Sequence, residues 1–238
     1  AKAGFVGPQY VFEGEHGVFK VFAASIEPKV DRLFDQLGKV WVSDTISFKP
    51  YPTGTMGQPY IDCARKLREQ GVRLDEIESI LCETAEGYVH RLWEPLQLKQ
   101  RPPTPYAAKF SVPFGVALGL VRGHADLGDY TDESITDPDL LNIAARVGYE
   151  IDENNPYPAA FTGHVRLRYR DGTEQEVSQG YMRGGREAPL SQEEIEEKFY
   201  ANCRYGNYPS ADDLLLTCKQ IAGMQGDYTL VKKMAVSE

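Results

Sequence analysis

Apolar positions along the first third of the chain change their spacing, and each change predicts an element. Residues 14–38 carry apolar side chains at helical spacing on both sides of Pro28, which predicts two short helices. Over residues 39–48 the spacing becomes two, which predicts a strand. Residues 59–70 then predict a helix with proline in its first turn, and Gly71 lies just past its end.

The middle of the chain mixes strand and helix patterns. The stretch "EIESILCET" predicts a strand, and the almost wholly apolar "SVPFGVALGLVRG" predicts a buried helix that stops at Gly123. In "TDPDLLNIAARVG" we expect a helix that is capped by Asp137 and ended by Gly148. Two alternating runs flank Asp171 and Gly172 in "HVRLRYRDGTEQEVSQGY", a pattern typical of a β-hairpin.

Helical patterns return at the end of the chain. Both "LSQEEIEEKFYANC" and "SADDLLLTCKQIAG" begin with a capping-box pattern, the first formed by Ser191 and Glu194, and each continues as an apolar stripe. Outer helical pieces around a mixed middle indicate an α+β fold, in which a smaller α+β domain is inserted between segments of a larger helical domain. The predicted divisions are 1–43 and 189–238 for the helical segments and 44–188 for the insertion.

Composition and charge narrow the classes of function. The chain has 238 residues, of which 42% are hydrophobic and 26% are charged, and its formal net charge is -9 with a pI near 5.1. Without a block of Lys and Arg, this balance argues against a partner that is a nucleic acid or an anionic membrane. No apolar stretch is long enough to cross a bilayer, and we expect a cytoplasmic protein. The four cysteines and four histidines show no metal-ligand spacing, so no metal site is predicted.

The stretch "FKPYPTGTMGQP", residues 48–59, is the main candidate for chemistry. Lys49 precedes a proline and is therefore biased towards an extended backbone, with its ammonium projecting. Gly54 and Gly57 allow a ligand to approach the backbone, and the helix that follows offers free N–H groups. Together these features predict a carboxylate-binding site. The alternative is a surface lysine beside a turn that needs glycine for its geometry alone.

Five blocks of the sequence occur in the order typical of a known family. They are "FKPYPTGTMGQPYIDCARKL", "KFSVPFGVALGLVRG", "TDPDLLNIAARVGYEID", "VRLRYRDGTEQEV" and "APLSQEEIEEKFYANC". In these blocks the chain resembles the C-terminal half of the MmgE/PrpD family, which includes 2-methylcitrate dehydratase, cis-aconitate decarboxylase and iminodisuccinate epimerase. The resemblance implies a cofactor-independent lyase or isomerase for small di- or tricarboxylic acids, with its cleft between a helical and an α+β domain. It also implies a dimer, and a catalytic lysine at the substrate that Lys49 matches.

Three departures from the family pattern limit what can be transferred. Family members carry acidic and histidine catalytic residues near a "DDTH"-like motif in an N-terminal helical half, and this chain has no such motif. Gln58 stands where many members have histidine; it can bind a carboxylate but cannot serve as an acid or base. Phe114 stands where a tyrosine is common, and it cannot donate a phenolic proton. Both changes point away from a standard dehydratase site.

Two functional classes follow from these observations. In the first, the chain is one part of a lyase or isomerase and is inactive until an N-terminal half or second subunit completes it. In the second, it is a non-catalytic module for carboxylate binding or assembly. The resemblance does not separate dehydration, decarboxylation and epimerisation. Besides Lys49, the candidate substrate-binding residues are Tyr51, Gly54, Gln58, Phe114 and, in the loop after the hairpin, Arg183 and Arg186.

Overall fold

A computed structural model describes residue 7, residues 9–22, residues 27, 29 and 32, and residues 34–221. The chain divides into two compact units, Ala1–Ile46 and Ser47–Glu238. In the first unit, helix α1 spans Val18–Phe22 and a 3-10 helix spans Val42–Thr45.

The strand expected over residues 39–48 is wrong. Its place is taken by the 3-10 helix and by chain without regular structure, and Val40, Trp41 and Val42 all have exposed side chains. Of the second helix expected after Pro28, residues 34–39 form turns, and most of the earlier positions lie outside the described residues.

A four-stranded sheet forms the centre of the second unit. Its strands are β1 Ile77–Thr84, β2 Val147–Ile151, β3 Gly163–Tyr169 and β4 Glu174–Gln179. Their order is β2-β1-β3-β4; β1 and β2 are parallel, and the other two pairs are antiparallel. The predicted hairpin is confirmed, because β3 and β4 pair around Gly172, which takes a φ of 82° that glycine adopts without strain.

Helices pack around this sheet and extend beyond it. They are α2 Gln58–Glu69, α3 Val89–Leu92, α4 Leu96–Gln100, α5 Pro105–Ala108, α6 Val112–Val121, α7 Pro138–Ala144, α8 Gln192–Tyr205 and α9 Ala211–Ile221. The capping box of α8 is formed as expected by Ser191 and Glu194. Asp137 caps α7 as predicted, but α7 ends at Ala144 and Gly148 lies inside β2, so the predicted stop is wrong.

Helix α2, which follows the loop of residues 48–57, packs closely against α6. α6 is buried along most of its length, as the apolar pattern predicted, and it ends before Gly123, which has a φ of 78°. A Cβ on Gly119 would lie 2.6 Å from the Cβ of Ala64, so glycine lets the two helices approach.

The second unit is therefore mixed α+β, as the sequence predicted. Its place as an insertion within a larger helical domain, together with the three predicted divisions, stays a prediction. None of the helices in the described part of the chain combines the length and the apolar character that crossing a membrane requires.

Candidate functional site

The loop that leads into α2 is held by backbone hydrogen bonds from both sides. The N–H of Phe48 donates to the carbonyl oxygen of Gly184 at 2.9 Å, and the N–H of Gly54 donates to that of Lys109 at 2.9 Å. Gly54 itself has a φ of -54°, which any residue can adopt. The loop is thus fixed to two neighbouring segments before α2 starts.

Lys49 and Gln58 converge on one backbone oxygen inside this loop. Lys49 Nζ donates to the carbonyl oxygen of Thr53 at 2.8 Å. Gln58 Nε2 lies 3.5 Å from the same oxygen and 3.4 Å from the carbonyl oxygen of Tyr51. Gln58 is fully buried, and its Oε1 has no hydrogen-bond partner in the described part of the chain.

Lys49 lines a hollow of 470 Å³, here called the Lys49 hollow. It holds two cations, Lys49 and Arg91, and the remaining lining is mainly aromatic and apolar. A surface of this kind suits a small acid, whose carboxylate would meet the cations and whose carbon skeleton would meet the rings. The lining residues are Lys49, Gly54, Thr55, Met56, Arg91, Phe110, Tyr157, Pro158 and Phe161.

On the other side of the loop, Tyr51 joins a buried network of charged groups. Its hydroxyl donates to Asp62 Oδ1 at 2.6 Å and accepts from Arg65 Nη1 and Arg183 Nη2, each at 2.9 Å. Arg183 Nε also donates to Asp62 Oδ1 at 2.9 Å. Tyr51 and Asp62 are each 3% exposed, so the network excludes water from its centre.

The electrostatics of this network follow from its burial. Burial raises the pKa of Tyr51 to about 12, helped by the nearby Asp62 carboxylate, so the hydroxyl stays protonated at neutral pH. Burial alone would lower the pKa of Arg183, but Tyr51 and Asp62 outweigh it and hold that pKa above its usual value. The network therefore contains fixed charges and a fixed donor at neutral pH, which suits positioning rather than proton transfer.

Arg183 also connects this network to α8 and borders a second cavity. Its Nη1 forms a short ion pair with Glu194 Oε1, and Glu194 Oε2 caps the first turn of α8 by accepting from the N–H of Ser191 at 2.8 Å. The adjoining cavity has a volume of 410 Å³ and is here called the Arg183 cleft. Its lining residues are Pro50, Tyr51, Arg65, His124, Asp126, Arg183, Leu190, Glu194, Glu197, Lys198, Tyr200, Ala201 and Arg204.

The predicted site residues do not all lie in one cavity. Lys49 and Gly54 share the Lys49 hollow, whereas Tyr51 and Arg183 share the cleft. Phe114 is fully buried, and its ring centroid lies 6.3 Å from that of Tyr130. Gln58 and Arg186 line neither of these two cavities; Gln58 is buried and Arg186 is exposed.

Sequence reasoning missed Asp62 and Arg65, although one signal could have found them. They lie three positions apart on α2, a spacing that puts two side chains on the same face of a helix. Asp62 stands between Ile61 and Cys63, which are buried, and a charge in such surroundings needs a partner. The missing information was the identity of that partner, Arg183, which lies far along the chain.

His124 also has a carboxylate partner that the sequence did not reveal. Its Nδ1 lies 2.7 Å from Asp129 Oδ2, and with Asp126 these groups come close enough together to hold an ion. Asp129 is already engaged, because Oδ1 accepts from Arg122 at 2.9 Å and Oδ2 accepts from the N–H of Asp126 at 2.6 Å. Both carboxylate oxygens of Asp129 therefore have partners within the protein.

Comparison with known proteins adds a family relationship. The sequence model described as the MmgE/PrpD C-terminal domain matches residues 51–215, which is more than half of the chain. The match begins at Tyr51 and includes the buried network, all of α8 and the first part of α9, while Lys49 lies just before it. No curated protein matches the chain.

Proposed function

Since the chain belongs to the MmgE/PrpD family, we propose that it is the C-terminal part of a cofactor-independent lyase or isomerase. Its substrates are small di- or tricarboxylic acids, and the reaction is a dehydration, a decarboxylation or an epimerisation. An N-terminal helical half or a second subunit completes the enzyme, and the assembly is a homo- or hetero-oligomer.

The observation that carries the proposal is the setting of Lys49. An ammonium has three N–H donors, and the contact with Thr53 occupies one of them, so others remain for a ligand. Lys49 is exposed in the hollow, where Arg91 supplies a second cation. A carboxylate bound there would receive charge-assisted hydrogen bonds, which are the stronger kind.

In this proposal Lys49 binds and orients the substrate, and it stabilises negative charge that develops next to the bound carboxylate. Removal of a proton from carbon requires a positioned base. We assign that base to the helical half, because Gln58 and Phe114 offer no titratable group at the two positions where the family pattern has histidine and tyrosine. The chain by itself is therefore expected to bind acids without turning them over.

A second candidate function is that of a non-catalytic module for carboxylate binding or assembly. One observation favours it: Gln58 is buried and directs its amide towards backbone carbonyl oxygens, and Phe114 is part of the core. Both positions then serve the fold. The module would keep the Lys49 hollow as a binding surface.

Purification of the chain from its own cells under native conditions distinguishes the part of an enzyme from the non-catalytic module. Mass spectrometry should identify a co-purifying helical polypeptide, and the complex should turn over citrate-like acids while the chain alone does not. Robust turnover by the chain alone, independent of Lys49, would overturn the need for a second half. A complex that binds these acids without turnover would support the module.

A further inference from the structure

Lys49 lies between two residues that contact the same turn. The N–H of Phe48, directly before it, donates to the carbonyl oxygen of Gly184 at 2.9 Å. The hydroxyl of Tyr51, two positions after it, accepts from Arg183 Nη2 at 2.9 Å. Because Arg183 and Gly184 are neighbours in sequence, one turn, here called the 182–185 turn, holds the backbone on both sides of the lysine.

The 182–185 turn depends on a glycine at position 184. The N–H of Gly184 donates to the carbonyl oxygen of Ala188 at 2.7 Å. Gly184 is buried and has a φ of 89°, and a Cβ at this position would overlap the carbonyl oxygen of Phe48. Glycine is therefore required both for the backbone conformation of the turn and for its contact with the loop that carries Lys49.

Arg183 fixes the turn to two helices. Its Nε donates to Asp62 Oδ1 on α2 at 2.9 Å, and its Nη1 pairs with Glu194 in the first turn of α8. With the contact to Tyr51, one guanidinium thus serves three partners in different directions. The compact ammonium of a lysine lacks the planar fork that makes this possible. The turn therefore takes its position from α2 and α8.

The peptide group between Thr53 and Gly54 reports where the loop places Lys49. Its carbonyl oxygen accepts from Lys49 Nζ at 2.8 Å, and its N–H donates to the carbonyl oxygen of Lys109 at 2.9 Å. Because the peptide group is planar, a rotation that breaks one of these contacts also disturbs the other. Hydrogen exchange of the Gly54 N–H therefore measures whether the loop keeps this geometry.

We infer that Arg183 and Gly184 are positioning residues for Lys49, and that the turn they form keeps the lysine's ammonium at the Lys49 hollow. Arg183 then acts through the loop rather than by contact with the substrate. The inference rests on the proposed function, because the role of Lys49 as a ligand for an acid is what gives its positioning a use. The positioning itself is measurable without any ligand.

Amide hydrogen exchange of the whole chain, followed by NMR, tests this inference with Gly184→Ala and a matched control. The control is Gly172→Ala, which also places a methyl group at a φ of 82° but has nothing within 4 Å of that group and lies outside both cavities. Gly184→Ala should speed exchange of the Gly54 N–H by roughly tenfold or more relative to the N–H groups of α6. Gly172→Ala should leave that ratio within about twofold.

Arg183→Lys is a second variant, and it decides alone if Gly184→Ala does not fold. It keeps a positive charge beside Asp62 but loses the fork, so it should speed exchange of the Gly54 N–H in the same way. An unchanged exchange ratio in either folded variant would overturn the inference. An equal change in Gly172→Ala would overturn it too, because the effect would then be a general loosening of the fold.

Titration with citrate separates the positioning from the proposed function. If the unsubstituted chain binds citrate, Gly184→Ala should weaken the affinity of the folded fraction by roughly tenfold, and Gly172→Ala by about twofold or less. Unchanged affinity despite faster exchange at Gly54 would show that Lys49 does not need the turn, and would overturn the inference. No citrate binding by the unsubstituted chain would overturn the proposed role of Lys49, while the exchange ratio would still decide the positioning.

Discussion

Arg183 Nη2 donates to the hydroxyl oxygen of Tyr51 at 2.9 Å, although 132 positions separate the two residues along the chain. This contact joins the loop before α2 to the loop after β4. Because Arg183 also pairs with Glu194, it links the same point to the start of α8. The geometry of the loop that carries Lys49 therefore depends on residues near the other end of the described chain.

Tyr51→Phe should destabilise the fold by about 1–3 kcal/mol, because the three hydrogen bonds of a buried hydroxyl are lost together. Denaturant unfolding measures this loss as a lower transition midpoint. Tyr149→Phe is the matched control: its hydroxyl donates to Glu94 at 2.7 Å in exposed surroundings, and its loss should change stability by about 0.5 kcal/mol or less. Equal effects of the two substitutions would show that burial does not strengthen the Tyr51 network.

The Tyr51 hydroxyl should ionise late in an alkaline titration. Its pKa in the folded protein is about 12, above the value near 10 of an unfolded tyrosine. Its contribution to stability is therefore complete below about pH 10 and is lost as the pH rises through 12. The ultraviolet absorbance of phenolate follows this step, and Tyr51→Phe should remove one late-ionising group. An unchanged late phase in that variant would contradict the assignment.

The contribution of Asp171 to stability should have the opposite pH dependence, since it is lost at low pH. Hydrogen bonds from the side chain and N–H of Thr173, with a further one from Arg73, lower the pKa of Asp171 to about 2. Its contribution to stability is present above about pH 4, the unfolded value, and is lost as the pH falls through 2. A carboxyl titration followed by NMR should give this midpoint. Thr173→Ala should raise it, and no movement would exclude the Thr173 hydroxyl as a cause.

The hairpin and the buried helix could be predicted because their signals are local. A glycine after Asp171 permits the turn, and the apolar run of α6 needs only to be buried, whatever covers it. The prediction of a strand over residues 39–48 was wrong because the formation of a strand is not decided locally. A strand is stabilised by a neighbour that accepts and donates its backbone hydrogen bonds, and spacing alone cannot supply that neighbour.

The candidate site was predictable only where its parts are close in sequence. Lys49 and Gly54 were predicted to share a surface, and both line the same hollow. The pairing of Tyr51 with Arg183 depends on the crossing of two distant loops, which no local pattern encodes. The buried carboxylate of Asp62 is the group that makes this crossing specific, because it needs a cation to offset its burial.

Association should depend on the incompletely buried apolar faces of α8 and α9. Neither helix has a buried residue in the structure, although both carry apolar stripes, and Leu216 is 57% exposed. Exposed apolar surface of this kind typically marks an interface. Light scattering at micromolar concentration should show a dimer or a complex, and Leu216→Glu should shift it towards monomer. Asn202→Asp, on the exposed surface of α8, controls for added charge.

A monodisperse monomer that binds no hydrophobic dye would contradict this prediction. Equal dissociation of the assembly by Leu216→Glu and Asn202→Asp would also contradict it, because the effect would then come from charge rather than from apolar contact. Dye binding that appears only after dissociation would locate the interface on the apolar faces.

Lys49→Ala should weaken the binding of a carboxylic acid by roughly tenfold or more, because it removes a charge-assisted hydrogen bond of about 1.5–3 kcal/mol. Its effect on unfolding should be below about 1 kcal/mol. Lys49 is exposed, and Gln58 Nε2 remains within 3.5 Å of the Thr53 carbonyl oxygen that the lysine leaves. Lys49→Arg tests geometry, since a planar fork differs from a compact ammonium.

Lys66→Ala is the matched control for this lysine. Lys66 is also exposed and donates to an uncharged oxygen, Gln179 Oε1, at 2.6 Å, but it lies outside the Lys49 hollow. Affinity for citrate and melting temperature should be measured on the same preparations of the completed enzyme. If Lys49→Ala lowers the melting temperature while the folded fraction keeps its affinity, the lysine stabilises the fold through its contact with Thr53 and does not bind the acid. Equal loss of affinity with Lys66→Ala would reduce its role to net charge.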